Sequence, residues 1–171
     1  NGDCAELGVF RGDFARLMNE AFPESALYLF DRFEGFDERD IEADQQYDLS
    51  QTGSAALNEK LKDTSVQIVL DKMPFPERCI VKKGYFPDTT EGMPEDIRFA
   101  FVSIDADLYT PILKGLEYFY PRMEHMGMIL VHDYGVKTVG AGRAVDEFCK
   151  VNGIIPIPVA DEYSSVMIVR A

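Results

Sequence analysis

The stretch Val102-Ser103-Ile104-Asp105-Ala106-Asp107-Leu108-Tyr109 (VSIDADLY, residues 102–109) closes an apolar run that begins at Phe99 and ends on two carboxylates one residue apart. In FAFVSI (99–104) apolar residues flank a single serine, which suits a strand buried on both faces of a helix-covered parallel sheet. The aspartates then fall at the carboxyl end of that strand, the edge where open α/β sheets place their chemistry. A second run of the same kind, GMILVHD (127–133), ends on His132 and Asp133. Two successive strands therefore carry acidic groups at the same edge.

Outward from this pair, strands and helices alternate. CAELGVF (4–10) reads as a strand, and GDFARLMNEAF after it carries Phe14, Leu17, Met18, Ala21 and Phe22 at helical spacing. SALYLFD (25–31) is the second strand, a helix runs from near Ser54 to Met73, and CIVKKGYF (79–86) is the third strand. After the fourth strand a helix spans Pro111 to Met123; after the fifth a helix spans Gly142 to Val151, and Ile154 to Pro158 and Ser165 to Val169 form a closing strand pair. This order predicts an α/β fold: a doubly wound, mostly parallel sheet with helices on both faces and a terminal antiparallel strand. With 171 residues, the chain is expected to form a single domain over 1–171. The segment GFDERDIEADQQYDLSQTG (35–53) is acidic, poor in large apolar residues and longer than ordinary connections. Its composition favours a solvated loop, while its place after the second strand also allows a lid over the carboxyl edge.

Composition narrows the partners. Hydrophobic residues make up 46% of the chain and charged residues 27%, a globular balance, and no apolar run has the length of a membrane span. Thirty acidic residues against 17 basic give a net charge of −13, which repels nucleic-acid phosphates and anionic lipid surfaces, so neither partner is expected. Cys4, Cys79 and Cys149 are far apart and sit in or beside apolar segments, so they are expected to be free thiols in a cytoplasmic protein. No signal peptide precedes the first strand, and the chain opens at Asn1 without an initiator methionine, which leaves its upstream residues open.

The first strand ends in Glu6-Leu7-Gly8-Val9-Phe10-Arg11-Gly12, an E-x-G-x-x-x-G turn that feeds a helix. Glycines let the backbone approach a ligand, and the helix amino terminus is electropositive. Phe10 stands where a dinucleotide fingerprint has its second glycine, so pyrophosphate binding is poorly supported. A ligand with an amino-acid end and a nucleoside end fits better: Glu6 would face an ammonium, with Gly8 and Gly12 in the turn, and Asp31, closing the second strand, would take a ribose hydroxyl pair. Arg32 is assigned to the same cofactor site. These features together favour S-adenosylmethionine over NAD. At the other strand ends, Asp105, Asp133 and His132 form a candidate divalent-metal site, since oxygen ligands suit Mg²⁺. His132 reads equally as a hydrogen-bonded structural residue, and among functional roles both metal ligand and catalytic base stay open. Asp107, with Thr110 and Pro111 after it, reads as serving the start of the next helix.

Taken in order, ELGVFRG, LFDRFEGF, DTSVQIV, KKGYFPDT, SIDADLYTPILKGLEYFYPRM, MILVHDYG and GAGRAVDEF resemble the macrocin-type sugar O-methyltransferases from about Glu6 to Phe148. The resemblance implies a class I, Rossmann-like methyltransferase fold that uses S-adenosylmethionine and a divalent metal, usually Mg²⁺. By position it puts Glu6, Gly8 and Asp31 in the cofactor site and Asp105 and Asp133 in the metal site. It further implies O-methylation of a hydroxyl on a small-molecule sugar or other vicinal diol. The chain departs from the family at His132-Asp133-Tyr134-Gly135, where members usually read DDYG, so an imidazole replaces one oxygen ligand. Members also generally carry an amino-terminal segment that shapes the acceptor pocket. Two other readings stay open: a nucleotide-sugar glycosyltransferase using Asp105-x-Asp107, and a non-catalytic module that binds a cofactor or partner. A homo-oligomer is left open as well.

Overall fold

The structure, a computed structural model, describes residues 2–46, 55–136, 140–162 and 164–171. Its strands are β1 (Asp3–Leu7), β2 (Leu27–Asp31), β3 (Cys79–Lys83), β4 (Phe99–Ile104), β5 (Met123–Val131), β6 (Ile157–Pro158) and β7 (Val166–Val169). Its helices are α1 (Asp13–Ala21), α2 (Glu38–Gln46), α3 (Ala55–Leu61), α4 (Val66–Leu70), α5 (Tyr109–Phe119) and α6 (Ala141–Asn152). The strands form one sheet in the order β3-β2-β1-β4-β5-β7-β6. β1 to β5 pair in parallel, and β7 runs antiparallel to β5 and β6. This is the doubly wound, mostly parallel sheet with a terminal antiparallel strand that the alternation predicts.

The winding reverses between β1 and β4, and such switch points open a crevice at the carboxyl ends of the strands. Alternate residues feed two cores. Leu7, Phe30, Ile104 and Val131 pack on the α5 and α6 side, around Phe119. Cys4, Leu27 and Leu29 pack on the other side against Ala15 and Met18 of α1 and Val69 of α4. Phe119 is fully buried, with edge contacts to Phe99 at 5.3 Å and Phe30 at 5.7 Å between ring centroids. Truncating such a ring typically costs about 3–5 kcal/mol. No helix among the described residues is long and apolar enough to cross a membrane.

Three differences from the sequence reading have local causes. The first strand ends at Leu7 rather than Phe10, because the amides of Val9 and Phe10 turn away to the Asp31 carboxylate. The helix expected from Ser54 to Met73 is two: the Ser65 hydroxyl accepts from the Ile68 amide at 3.2 Å and starts α4 afresh. Within 35–53, residues 38–46 form α2 rather than loop, with Asp40 and Asp44 buried, while 47–53 lie outside the described residues.

Candidate active site

The turn after β1 is shaped by its neighbours on both sides. Gly8 has φ +87°, and a Cβ there would lie 2.0 Å from the backbone oxygen of Asp105. Only glycine lets the ends of β1 and β4 approach so closely. On the other side, Asp31 accepts from the amides of Val9 (2.7 Å) and Phe10 (2.8 Å) through one carboxylate oxygen and from that of Phe33 (2.6 Å) through the other. Those bonds hold Phe10 at φ +49° and Phe33 at φ +57°, conformations that side chains other than glycine seldom adopt.

A cleft opens over this turn and runs from the end of β3 to the end of β4, lined by Gly8, Asp31, Arg32, Gly84, Tyr85, Asp105 and Asp107 among others. Gly8, Asp31 and Arg32 thus face the cleft as expected of cofactor residues. Gly12 and Glu6 lie outside the lining. Gly12 caps α1 with φ +74°. Glu6 is only 2% exposed; it accepts from the Ala15 amide, and its Oε2 has no hydrogen-bond partner among the described residues. Burial, then the charges of Asp105 and Asp31, hold its pKa well above the ordinary carboxylate value.

At the far end of the cleft, carboxylate oxygens of Asp105, Asp107 and Asp133 all lie within 4.8 Å of one another. Residues Val102 to Ile104 of β4 pair with Ile129 to Val131 of β5, which brings the two strand ends side by side. Asp107 (φ +56°) and Asp133 (φ +58°) both take left-handed backbone conformations that turn them back toward Asp105. Strain of this kind persists only where surrounding structure enforces it and gathers at functional sites. Asp105 as a whole residue is exposed, yet its carboxyl lines the cleft, where desolvation raises its pKa to about 6. Burial followed by the charges of Asp105, Asp133 and Asp44 raises that of Asp107 to about 8. Asp133 is raised as well, by burial and by Asp105. Hard oxygen donors, mutually repelling and accepting no hydrogen bond from the described residues, fit a divalent cation such as Mg²⁺.

The residue that joins Asp105 and Asp133 is Asp107, where the sequence reading placed His132. The His132 ring lies on the α1 side of the sheet, 7% exposed, its Nε2 at 3.2 Å from the Ser103 hydroxyl and its Nδ1 at 3.4 Å from that of Ser165. It meets Phe14 edge to face at 5.1 Å. Burial lowers its pKa. Asp107 in turn does not cap the helix that follows it. Helix α5 begins after Leu108 with no side-chain cap of its own, and the first helical amide, Tyr109 N–H, donates to Asp44 of α2 at 3.0 Å.

Helix α2 lies in the 35–53 segment, for which the sequence reading leaves a solvated loop or a lid open, and its buried acids reach the site. Asp40 accepts from the Tyr85 hydroxyl at 2.9 Å, and Asp44 reaches α5, so α2 bridges the two ends of the cleft. Asp44 is 2% exposed, its second oxygen has no hydrogen-bond partner among the described residues, and burial lifts its pKa to about 6. Asp37, just before α2, binds Arg39 at 2.8 Å and Arg32 at 3.5 Å. Two acidic residues four apart on a short polar helix give the one signal the sequence offered.

Known proteins carry the same fold. The structure superposes on the O-methyltransferase NovP with a TM-score of 0.83 at 24% identity, covering 100% of this chain and 72% of that one. It superposes on the calicheamicin methyltransferase CalS11 with a TM-score of 0.71 at 17% identity, covering 99% and 72%. In sequence it is 29% identical over 146 residues to the 8-demethyl-8-(2,3-dimethoxy-alpha-L-rhamnosyl)-tetracenomycin-C 4'-O-methyltransferase of Streptomyces olivaceus, covering 79% of this chain and 54% of the relative. It is 27% identical over 166 residues to the mycinamicin III 3''-O-methyltransferase of Micromonospora griseorubida, covering 90% and 62%. The chain therefore spans a little over half the length of these relatives. Residues 1–166 match the family profile of the macrocin-O-methyltransferases, and the chain belongs to that family, TylF.

Proposed function

We propose that this chain is the S-adenosylmethionine-binding, divalent-metal-assisted domain of an O-methyltransferase that modifies a hydroxyl of a sugar or other vicinal diol in a natural product. The observation that carries the reading is the convergence of Asp105, Asp107 and Asp133 at the β4 end of the cleft that passes over the Gly8 turn. Family membership supplies the reaction class, and the two curated relatives are named for methylating sugar hydroxyls.

In this reading Gly8, Asp31 and Arg32 hold the nucleoside and amino-acid ends of the methyl donor. Buried Glu6 backs the same turn from outside the cleft lining. Asp105 and Asp133 would hold the cation, which would supply Lewis-acid activation of a substrate hydroxyl. Asp107, whose carboxylate lies beside that pair, is placed to accept the hydroxyl proton. Its carboxylate then carries the proton away from the line of methyl transfer. Helix α2 covers the cleft and is suited to keep water from the aligned groups.

Calorimetry with S-adenosylmethionine, with and without Mg²⁺, followed by methyl transfer on a panel of sugar diols, tests the proposal. Donor binding with Mg²⁺-stimulated methylation of a diol is expected. Binding of a nucleotide sugar in place of S-adenosylmethionine would replace this reading with a glycosyltransferase.

A further inference from the structure

We propose that Asp44 is a positioning residue: by capping α5 from outside, it frees the Asp107 side chain to face Asp105 and Asp133. The inference builds on the reading of Asp107 as proton acceptor, but its structural part stands without it.

The argument begins with a competition. A helix leaves its first amides without intrahelical partners, and an aspartate just before the first turn commonly satisfies them. Asp107 stands two residues before Tyr109, and is the nearest carboxylate in sequence to the α5 amino terminus. In the structure it does not serve that end. The Tyr109 amide is taken by Asp44, 65 residues distant in sequence, at 3.0 Å. The Asp107 side chain instead joins the carboxylate group, and its carbonyl oxygen accepts from the Gly140 amide at 3.0 Å, which fixes the turn from the α6 side. Asp44 is 2% exposed, so its carboxylate is held in place by the packing of α2 on α5 rather than by solvent. The other end of α2 is tied to Tyr85 through Asp40. Tyr85 lines the cleft beside β3, so α2 joins the wall of the donor cleft to the residue that faces the acceptor.

The consequence is an asymmetric pair of substitutions. Asp44→Asn keeps the oxygen that accepts from Tyr109, and Asp44→Ala removes it. In crystals of the unliganded Asp44→Ala protein, Asp107 is expected to swing out of the 4.8 Å group and cap α5 itself; in Asp44→Asn it should stay. In solution, Asp44→Ala should lower kcat by about 10- to 100-fold, the scale on which misplacement of a catalytic group acts. S-Adenosylmethionine affinity by calorimetry should hold, and Asp44→Asn should recover most of the loss. If the alanine protein does not fold, Asp44→Ser, too short to reach Tyr109, takes its place. An Asp107 carboxylate that stays with Asp105 and Asp133 in the alanine or serine variant overturns the proposal, whether or not the protein methylates a diol. Equal losses in Asn and Ala variants that both remain folded overturn it as well. A wild-type protein with no methyl transfer defeats the proposed function alone and leaves the crystallographic comparison decisive for Asp44.

Discussion

At the end of β2 the Asp31 carboxylate accepts from three backbone amides, whereas at the end of β4 the Asp105 carboxylate accepts from none of the described residues and faces Asp107 and Asp133. Both residues close buried parallel strands at the same edge, and both read alike in sequence. Their surroundings separate them. The amides of a tight turn neutralise the first carboxylate, so it fastens the loop that frames the cleft. The second is left beside like charges, an arrangement stable only with protons or a cation between the groups. An acidic strand end thus fastens a loop, as Asp31 does while it lines the donor cleft, or is left free to seat a cation, according to where the nearest orphan amides lie.

The sharpest way to break this comparison is to remove each carboxylate in turn. Asp105→Ala is expected to lower turnover by about 10² to 10³, the scale of losing one preorganised electrostatic group. Cation binding by calorimetry should weaken with it, while S-adenosylmethionine binding persists. Asp31→Ala should do the reverse, weakening donor binding and destabilising the fold by about 2–4 kcal/mol as hydrogen bonds to a charged group are lost. Urea denaturation measures that cost. Cation binding lost in Asp31→Ala with stability intact would mean the two strand ends have been read the wrong way round.

A pH series sharpens the same contrast. Asp105 and Asp107 rise from an ordinary 3.8 to about 6 and about 8 in the folded protein. Groups whose folded pKa is raised add stability that is fully present below the unfolded value and is lost as pH climbs through the folded one. The metal-free protein should therefore lose thermal stability between about pH 5 and pH 8, and Mg²⁺ should restore it most at the upper end. Asp107→Asn should flatten the slope. A metal-free melting temperature that rises steadily over this range would contradict the assignment. The smallest effect belongs to His132. Replacing it with Asn should cost about 1 kcal/mol for weakened bonds to Ser103 and Ser165 and leave the order of divalent metals unchanged. A new metal preference in that variant would bring the imidazole into the site after all.

How much of this was legible in the sequence follows from the range of the forces involved. Strands buried on both faces write themselves as continuous apolar runs, so β2, β4 and β5 and the acidic ends of β2 and β4 could be read directly. Asp105 after β4 and Asp133 after β5 stand out for that reason, and the structure brings their carboxylates together. The direction of His132 depended on Ser165, 33 residues away on an antiparallel strand, and on Phe14 from α1. Nothing in VHDYG indicates those partners. Asp107 was assigned to its own helix because local capping is the common outcome, and only Asp44 on a distant helix reversed it. Helix α2 itself was hidden by composition: a run of acids reads as solvated until Tyr85 and Tyr109 are seen to bury two of them.

The missing side chain of Gly8 has one further effect. Where its Cβ would stand, the Asp105 carbonyl stands instead, and the Asp105 amide donates to Leu7 at 2.8 Å. The turn assigned to the methyl donor and the residue assigned to the acceptor's cation are therefore two backbone segments in direct contact, with no side chain between them to flex. An in-line displacement tolerates little lateral error. In the proposed reading, the distance between donor and acceptor seats is set by this backbone contact and does not depend on the side chains around the acceptor.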